Sequence, residues 1–435
     1  MNPMNRRSLL MSALFGAGSC GLSSIATGLP ASFFRDGLIP DAFAQDAGPA
    51  QFLIMLSGGA GDPVNVSSPG VQGVAGANYN SDPSMAVTPL QMGSVSTTAA
   101  LPWTTIPEWA LSRMNVVHHR TYQNAHPQYP KVMRLTDNAR GPDGSGTEHL
   151  VSMLGQETSE VLGTVQREPI SLTRDITFEG RTLSAVKPTT LASMFSPQEG
   201  LGVQLAEIRR SHLDRINTLL KDEGTTEQRR WLDRFATSHE QVVSLDQSLA
   251  AGFSGIADDT PAGQIAAAIL LIQMKVAPAI MMYIPTGGDN HFDGGLIEET
   301  AQHASGFAFF VQLLEALDAA GLRDSVTVLN LHAFGRTFRL TGRGGRNHNL
   351  NHHAMCTIGA NVNPCIAGGV ASSGNDQGAV PIDSQTGQGG DGGDIPVTES
   401  LEAAAKTLGA SLGIGRERLE TRILGGKVIE AALTS

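Results

Sequence analysis

The sequence predicts an α/β protein with a central, mostly parallel sheet flanked by helices. Three observations predict it. Short, continuous apolar runs at residues 51–56, 279–284 and 325–331 have the length and β-branched content of strands buried on both faces. Between the last two, residues 297–320 carry apolar side chains at helical spacing, which makes a strand–helix–strand unit. Each run ends in glycine, proline or polar residues: Gly58 to Asp62 after the first, Pro285 to His291 after the second, and His332 at the end of the third.

The elements follow in order. Residues 1–44 read as a twin-arginine signal peptide. Asn5, Arg6 and Arg7 precede a mildly apolar segment at 9–29, and Ala42 and Ala44 offer small residues for cleavage before Gln45. The expected location is therefore periplasmic or extracellular. Cys20 lacks a good lipobox ahead of it. The rest, 45–435, is expected to be one domain. Residues 65–105 read as long loops with one short helix, and 114–117 as a short strand followed by His118, His119 and His126. Residues 138–148 form a polar loop. Residues 201–220 and 225–249 read as a helical hairpin inserted at about 200–250, and 265–276 as a helix leading into the second apolar run. Residues 354–358 are a further strand. The Gly-rich stretch at about 366–395 reads as a flexible loop or disordered excursion, and 401–412 as a closing helix.

Composition bounds the function. A net charge of −11 argues against a nucleic-acid partner. No apolar run beyond residue 30 is long enough to span a bilayer, so no membrane span is expected in the mature protein. Cys356 and Cys365 could pair in an oxidising compartment or remain free thiols; spacing does not decide.

Six of the twelve histidines fall between residues 277 and 369. Open α/β sheets bind ligands at the carboxyl ends of their strands. Asp62, Asp289, His291 and His348 are the candidate metal ligands on that ground. His126, His332, Arg336 and Asn347 are candidates to support them or to contact an anion. The Gly287–Asn290 segment is equally good turn chemistry. His352 and His353 read as surface or supporting residues, His118 and His119 as loop residues, and His149, His212, His239 and His303 as structural.

These landmarks resemble an uncharacterised bacterial family of twin-arginine-exported proteins in the alkaline phosphatase/sulfatase superfamily. The family's glycine turn with an acidic residue is matched by Gly58 to Asp62. Its Ser-His-Phe segment is matched by Asn124, Ala125 and His126, and its Gly-Phe-Asp-Thr-His turn by Gly288 to His291. Its Ser-Glu-Phe-Gly-Arg turn is matched by His332 to Arg336, and its Gly-Thr-Asp-His-Gly turn by Gly345 to Asn349. The resemblance implies an alkaline phosphatase/sulfatase-like fold. It also implies two divalent metals at the strand ends and a hydroxyl nucleophile attacking a phosphate or sulfate ester. The chain departs from that pattern at Ala125, Ala333 and Asn347, which remove the hydroxyl and two carboxylates. At most one tightly held ion, zinc or manganese, is therefore expected. The expected function is a metal-dependent hydrolase of small anionic esters with a partly degenerate site. The alternatives are a catalytically inactive binding or assembly protein with a cell-envelope partner and no ion, and a surface or matrix component.

Overall fold

The computed structural model describes residues 49–195, 252–253 and 255–434. The expected signal peptide and the helical hairpin at 200–250 lie outside these residues. Of the described chain, residues 49–185 and 277–434 belong to one compact unit and those between 186 and 276 to another.

The larger unit is built on a seven-stranded sheet. Its strands in chain order are β1 (Phe52–Leu56), β4 (Met114–His119), β5 (Ile170–Ser171), β8 (Ala279–Met282), β9 (Val326–Asn330), β12 (His353–Ile358) and β13 (Cys365–Ala367). The intervening numbers belong to four two-stranded pairs: β2 (Val87–Met92) with β3 (Val95–Ala100), β6 (Ile176–Phe178) with β7 (Arg181–Leu183), β10 (Gly335–Leu340) with β11 (Arg346–Asn349), and β14 (Val370–Ser373) with β15 (Asp376–Ala379). Across the sheet the order is β13-β4-β12-β9-β1-β8-β5. β1 pairs in parallel with both β8 and β9, β5 with β8, and β13 with β4; only β12 runs against its neighbours. The sheet is thus mostly parallel, as the apolar runs predict. β1, β8 and β12 are buried along their whole length. Burial on both faces is why their sequences read as continuous apolar runs rather than alternating ones.

The helix Ile297–Ala319 carries the chain from β8 to β9, which lie on either side of β1. Leu313, Leu314 and Leu317 fill its buried face. Helices Leu150–Leu162 and Ser400–Ser411 contribute Leu154, Leu401 and Leu408 to a core that also takes Leu53, Met55 and Met281 from the sheet. Full burial of each such side chain contributes about 1.5–3 kcal/mol.

The orientation of β12 decides where the site forms. Because β12 is antiparallel to both β4 and β9, its amino end lies at the edge where β1, β4, β8 and β9 have their carboxyl ends. Asp62, His126, Asp289 and His332 come after their strands. His348 has to come before its own, on β11, to reach the same edge.

In the smaller unit, helices Pro188–Phe195 and Pro261–Gln273 are described. The second corresponds to the helix expected at 265–276. Asp259 fixes the start of the first by accepting from Thr189 N at 2.9 Å and Thr189 Oγ1 at 2.7 Å.

Three expectations are corrected. Residues 65–105 contain the β2–β3 hairpin, closed by a two-residue turn at Gly93 (φ +53°) and Ser94. Both strands are largely exposed; only Leu90 and Met92 of β2 are buried in alternation with exposed Pro89 and Gln91, and β3 is mostly serine, threonine and alanine, too little to read as strands in the sequence. The Gly-rich region is ordered: β13, β14 and β15 lie in it, and Ile382 and Ile395 are fully buried. Its glycines allow backbones to touch. A Cβ on Gly389 would sit 2.4 Å from Gly368 C, and one on Gly393 2.5 Å from Ile382 N. Finally, His118 and His119 end β4 rather than a loop, and they and His352 and His353 are buried.

Cys356 and Cys365 are both free and buried. Cys356 pairs with Val116 and Cys365 with Asn115, on opposite sides of β4. Two strand spacings, about 9.5 Å, separate them, too far for a disulfide. Burial pushes the Cys356 thiol up to about 12 and the Cys365 thiol up to about 11.

Candidate metal centre

Four side chains at the carboxyl edge, His126, Asp289, His291 and His348, bring one potential donor atom each to within 4.8 Å of one another. His126 opens a short 3-10 turn after β4. Asp289 and His291 lie in the turn after β8. His348 sits on β11, opposite Arg336 of β10.

A buried ion pair holds the His348 strand to the helix that follows the His291 turn. Arg346 of β11 meets Glu299 of the long helix at 2.5 Å, with both side chains almost fully buried. The same guanidinium donates to the carbonyls of Thr337, Phe338 and Asn78. Arg346 N also donates to Asn290 O at 2.8 Å, which joins the His291 turn to the His348 strand. Asp293 caps the helix start by accepting from Glu298 N and Glu299 N.

The imidazoles are oriented from behind. His126 Nδ1 lies 2.7 Å from Gly59 O, and His348 Nδ1 makes a short contact with Asn124 O. A carbonyl accepts only from N–H, so each Nδ1 carries a proton, and in the neutral ring Nε2 is then the nitrogen free to bind a metal. This is the arrangement by which backbone carbonyls orient metal-binding histidines. His291 Nε2 is 2.9 Å from His348 Nε2 and 3.3 Å from Asp289 Oδ1. Adjacent donors around a tetrahedral zinc ion with 2.0–2.1 Å bonds lie about 3.3 Å apart. The two separations among Asp289, His291 and His348 are close to that value, His126 lies within 4.8 Å of the other donors, and three imidazoles with one carboxylate suit an ion of the zinc type in donor chemistry.

Electrostatics agree. Burial, together with Arg336, His126 and His291 nearby, pushes His348 down to about 4, although the Asn124 carbonyl opposes this. His348 is thus neutral at physiological pH, the form that binds a metal. Its ring stacks on Phe334, with centroids 4.1 Å apart. Arg336 is wholly buried, and burial lowers it to about 10, so it remains charged. Its Nη2 donates to Ala60 O and Gly288 O at 2.6 Å and lies 3.6 Å from Asp289 Oδ1; its Nε and Nη1 have no hydrogen-bond partner among the described residues.

Of the four ligands expected from sequence, the structure brings together Asp289, His291 and His348. It adds His126, which the sequence places in a supporting role. Asp62 lies in a separate contact: it accepts from Val64 N at 2.9 Å and Thr286 Oγ1 at 3.0 Å, and His332 Nε2 is 3.1 Å away. Asn347 is exposed, next to His348 on β11, and alternation along a strand turns it to the opposite face. The sequence alone does not point to Glu299 and Arg346. Their pairing spans 47 residues and leaves no local signal.

Four other buried histidines form two pairs outside the group of four donors. His118 Nδ1 meets His352 Nε2 at 3.0 Å, and His119 Nε2 meets His353 Nδ1 at 3.3 Å. Pro69 O, Arg120 O and Asn65 close the chains at their ends. His303, expected to be structural, bonds Ser67 Oγ, and His149 accepts from Thr177 N.

Residues 202–383 match a protein family of unknown function, DUF1501. The match covers Asp289, His291, His332, Arg336 and His348, and leaves out Asp62 and His126. No curated protein matches the chain.

Proposed function

We propose that this chain is an exported, metal-dependent hydrolase of phosphate or sulfate esters that holds one divalent ion at His126, Asp289, His291 and His348. The observation that carries the reading is the convergence of four donors, two of whose imidazoles are aimed by backbone carbonyls. A bound zinc or manganese ion would supply Lewis-acid stabilisation of the charge that develops on the transferred group. The protein's own residues do the rest. Gly59 and Asn124 hold two rings in the ligating tautomer, and Phe334 fixes the plane of His348. Arg336 places a permanent positive charge beside the site, which favours an anionic substrate. Asp289 is the most exposed of the four and faces incoming solute.

A second reading is supported by one observation. The partners of the four residues are Gly59, Asn124, Phe334 and Arg336, none of which carries a hydroxyl or thiol. Ala125 stands where the resembled family has serine. On that reading the chain binds metal in the cell envelope without catalysis. Hydrolysis of p-nitrophenyl phosphate and p-nitrophenyl sulfate, before and after chelation and with zinc or manganese restored, separates the two. Activity lost with the ion and regained with it supports the hydrolase; an ion-loaded but inert chain supports the binding protein. Export is tested separately. Arg6→Lys with Arg7→Lys should leave the precursor in the cytoplasm, and normal processing of that variant would refute it.

A further inference from the structure

The turn that follows β1 carries donors with no acceptors for them. Gly58, Gly59 and Gly61 are buried, and Ala60 is half-buried. Their carbonyls are used: Gly58 O accepts from Ala333 N, Gly59 O from His126 Nδ1, and Ala60 O from Arg336 Nη2. Their N–H groups are not: none of the four meets an acceptor among the described residues. Buried backbone N–H groups are almost always paired, so such a run marks a place for an acceptor from outside the chain. Successive N–H groups of one turn are a recurrent anion-binding arrangement.

Two guanidinium groups lie against the same turn. Arg336 is wholly buried, and its Nε is 3.1 Å from where a Cβ on Gly61 would sit. Its Nε and Nη1 have no hydrogen-bond partner among the described residues. Arg174 is exposed and follows β5, which runs parallel to β8, so it stands at the same carboxyl edge. Its guanidinium carbon is 3.4 Å from where a Cβ on Gly59 would sit and 5.4 Å from the centre of the Tyr129 ring. That guanidinium pairs with no carboxylate among the described residues. Asp62, at the end of the turn, is engaged by Val64 N, Thr286 Oγ1 and His332 instead.

We infer that the Gly58–Gly61 turn, with Arg174 and Arg336 beside it, binds a tetrahedral oxyanion of the phosphate or sulfate type, free or as the head of an ester. Every unused group there is a donor, and a phosphate or sulfate oxygen is an acceptor. Four N–H groups and a guanidinium fork also exceed the roughly four acceptor positions of a carboxylate. Its role as the seat of an ester's anionic head rests on the hydrolase reading. The anion binding itself does not, because no donor of the turn is one of the four converging ligands.

The test is calorimetric titration of the full chain with inorganic phosphate, as purified and again after chelation and dialysis, with acetate as the comparison. Phosphate should bind in both states, at least about tenfold more tightly than acetate. Phenyl phosphate, run on the chelated chain, should bind comparably; binding of phosphate alone would support the site with the free ion as its occupant. Arg174→Gln, at an exposed position, should weaken phosphate by about tenfold. Gly59→Ala should weaken it as well, since its methyl group would make ordinary contact with the Arg174 guanidinium and cover the ground between them. Circular dichroism establishes that each variant is folded. No phosphate binding, binding only while the ion is present, acetate as tight as phosphate, or unchanged affinity in folded Arg174→Gln would overturn the inference. Phosphate binding to a chain that never holds an ion would refute the metal reading and leave this one standing.

Discussion

His291 Nε2 lies 2.9 Å from His348 Nε2, although 57 residues separate them. Two ring nitrogens at that distance either share a proton or share an ion. Because Asn124 fixes the His348 proton on Nδ1, its Nε2 lone pair faces His291. The contact is sensitive to everything that positions the two segments.

The Glu299–Arg346 pair is the first such element. Removing one partner of a buried ion pair leaves an uncompensated charge, which costs about 3–5 kcal/mol. Glu299→Ala should lower unfolding stability by that order in urea titrations. It should also weaken metal retention, since Arg346 joins β11 to the His291 turn. Exchanging both residues for apolar ones of similar volume should cost much less.

A pH dependence of stability follows from the buried histidines of β4. Burial pushes His118 and His119 down to about 4 from 6.5. Their folded forms resist protonation that the unfolded chain accepts. The stabilisation is therefore complete above pH 6.5 and is lost as pH falls from there toward about 4. It amounts to on the order of 3 kcal/mol for each residue. Thermal melting between pH 7 and pH 5 should show a steady drop, before most carboxylates titrate. A flat profile would mean that these rings are not held neutral by burial.

The Gly-rich segment provides a third prediction. Gly389→Ala should destabilise the protein by about 1–3 kcal/mol, because its methyl group would overlap the Gly368 backbone. Gly392→Ala, where a Cβ meets nothing within 4 Å, should be close to neutral. Equal tolerance at both positions would restore the reading of this region as a flexible loop.

That contrast shows what the sequence discloses and what it does not. β1, β8, β9 and β12 are legible because strands buried on both faces need continuous apolar runs. The carboxyl edge is legible because Asp62, Asp289, His291 and His332 follow parallel strands. The β2–β3 hairpin is not, since its only buried alternation, Leu90 and Met92 on β2, is two residues long and β3 is mostly polar or small. The order in residues 366–395 comes from close backbone approach, which in a sequence resembles flexibility. The histidine pairs of β4 and β12 depend on the register that sets His353 opposite His119, a non-local fact. The exchange of roles between Asp62 and His126 has the same origin. The turn after β1 directs the Asp62 carboxylate to Val64 N and Thr286, while Gly59 O in that turn reaches His126.

The central claim is that one ion is held by His126, Asp289, His291 and His348, and not by Asp62. Elemental analysis of gently purified full chain, beside His291→Ala and Asp62→Asn, tests it most directly. The account predicts about one zinc or manganese ion per chain in the wild type and in Asp62→Asn, and none in His291→Ala. Loss of the ion in Asp62→Asn with retention in His291→Ala, or no ion in any of the three, would contradict it.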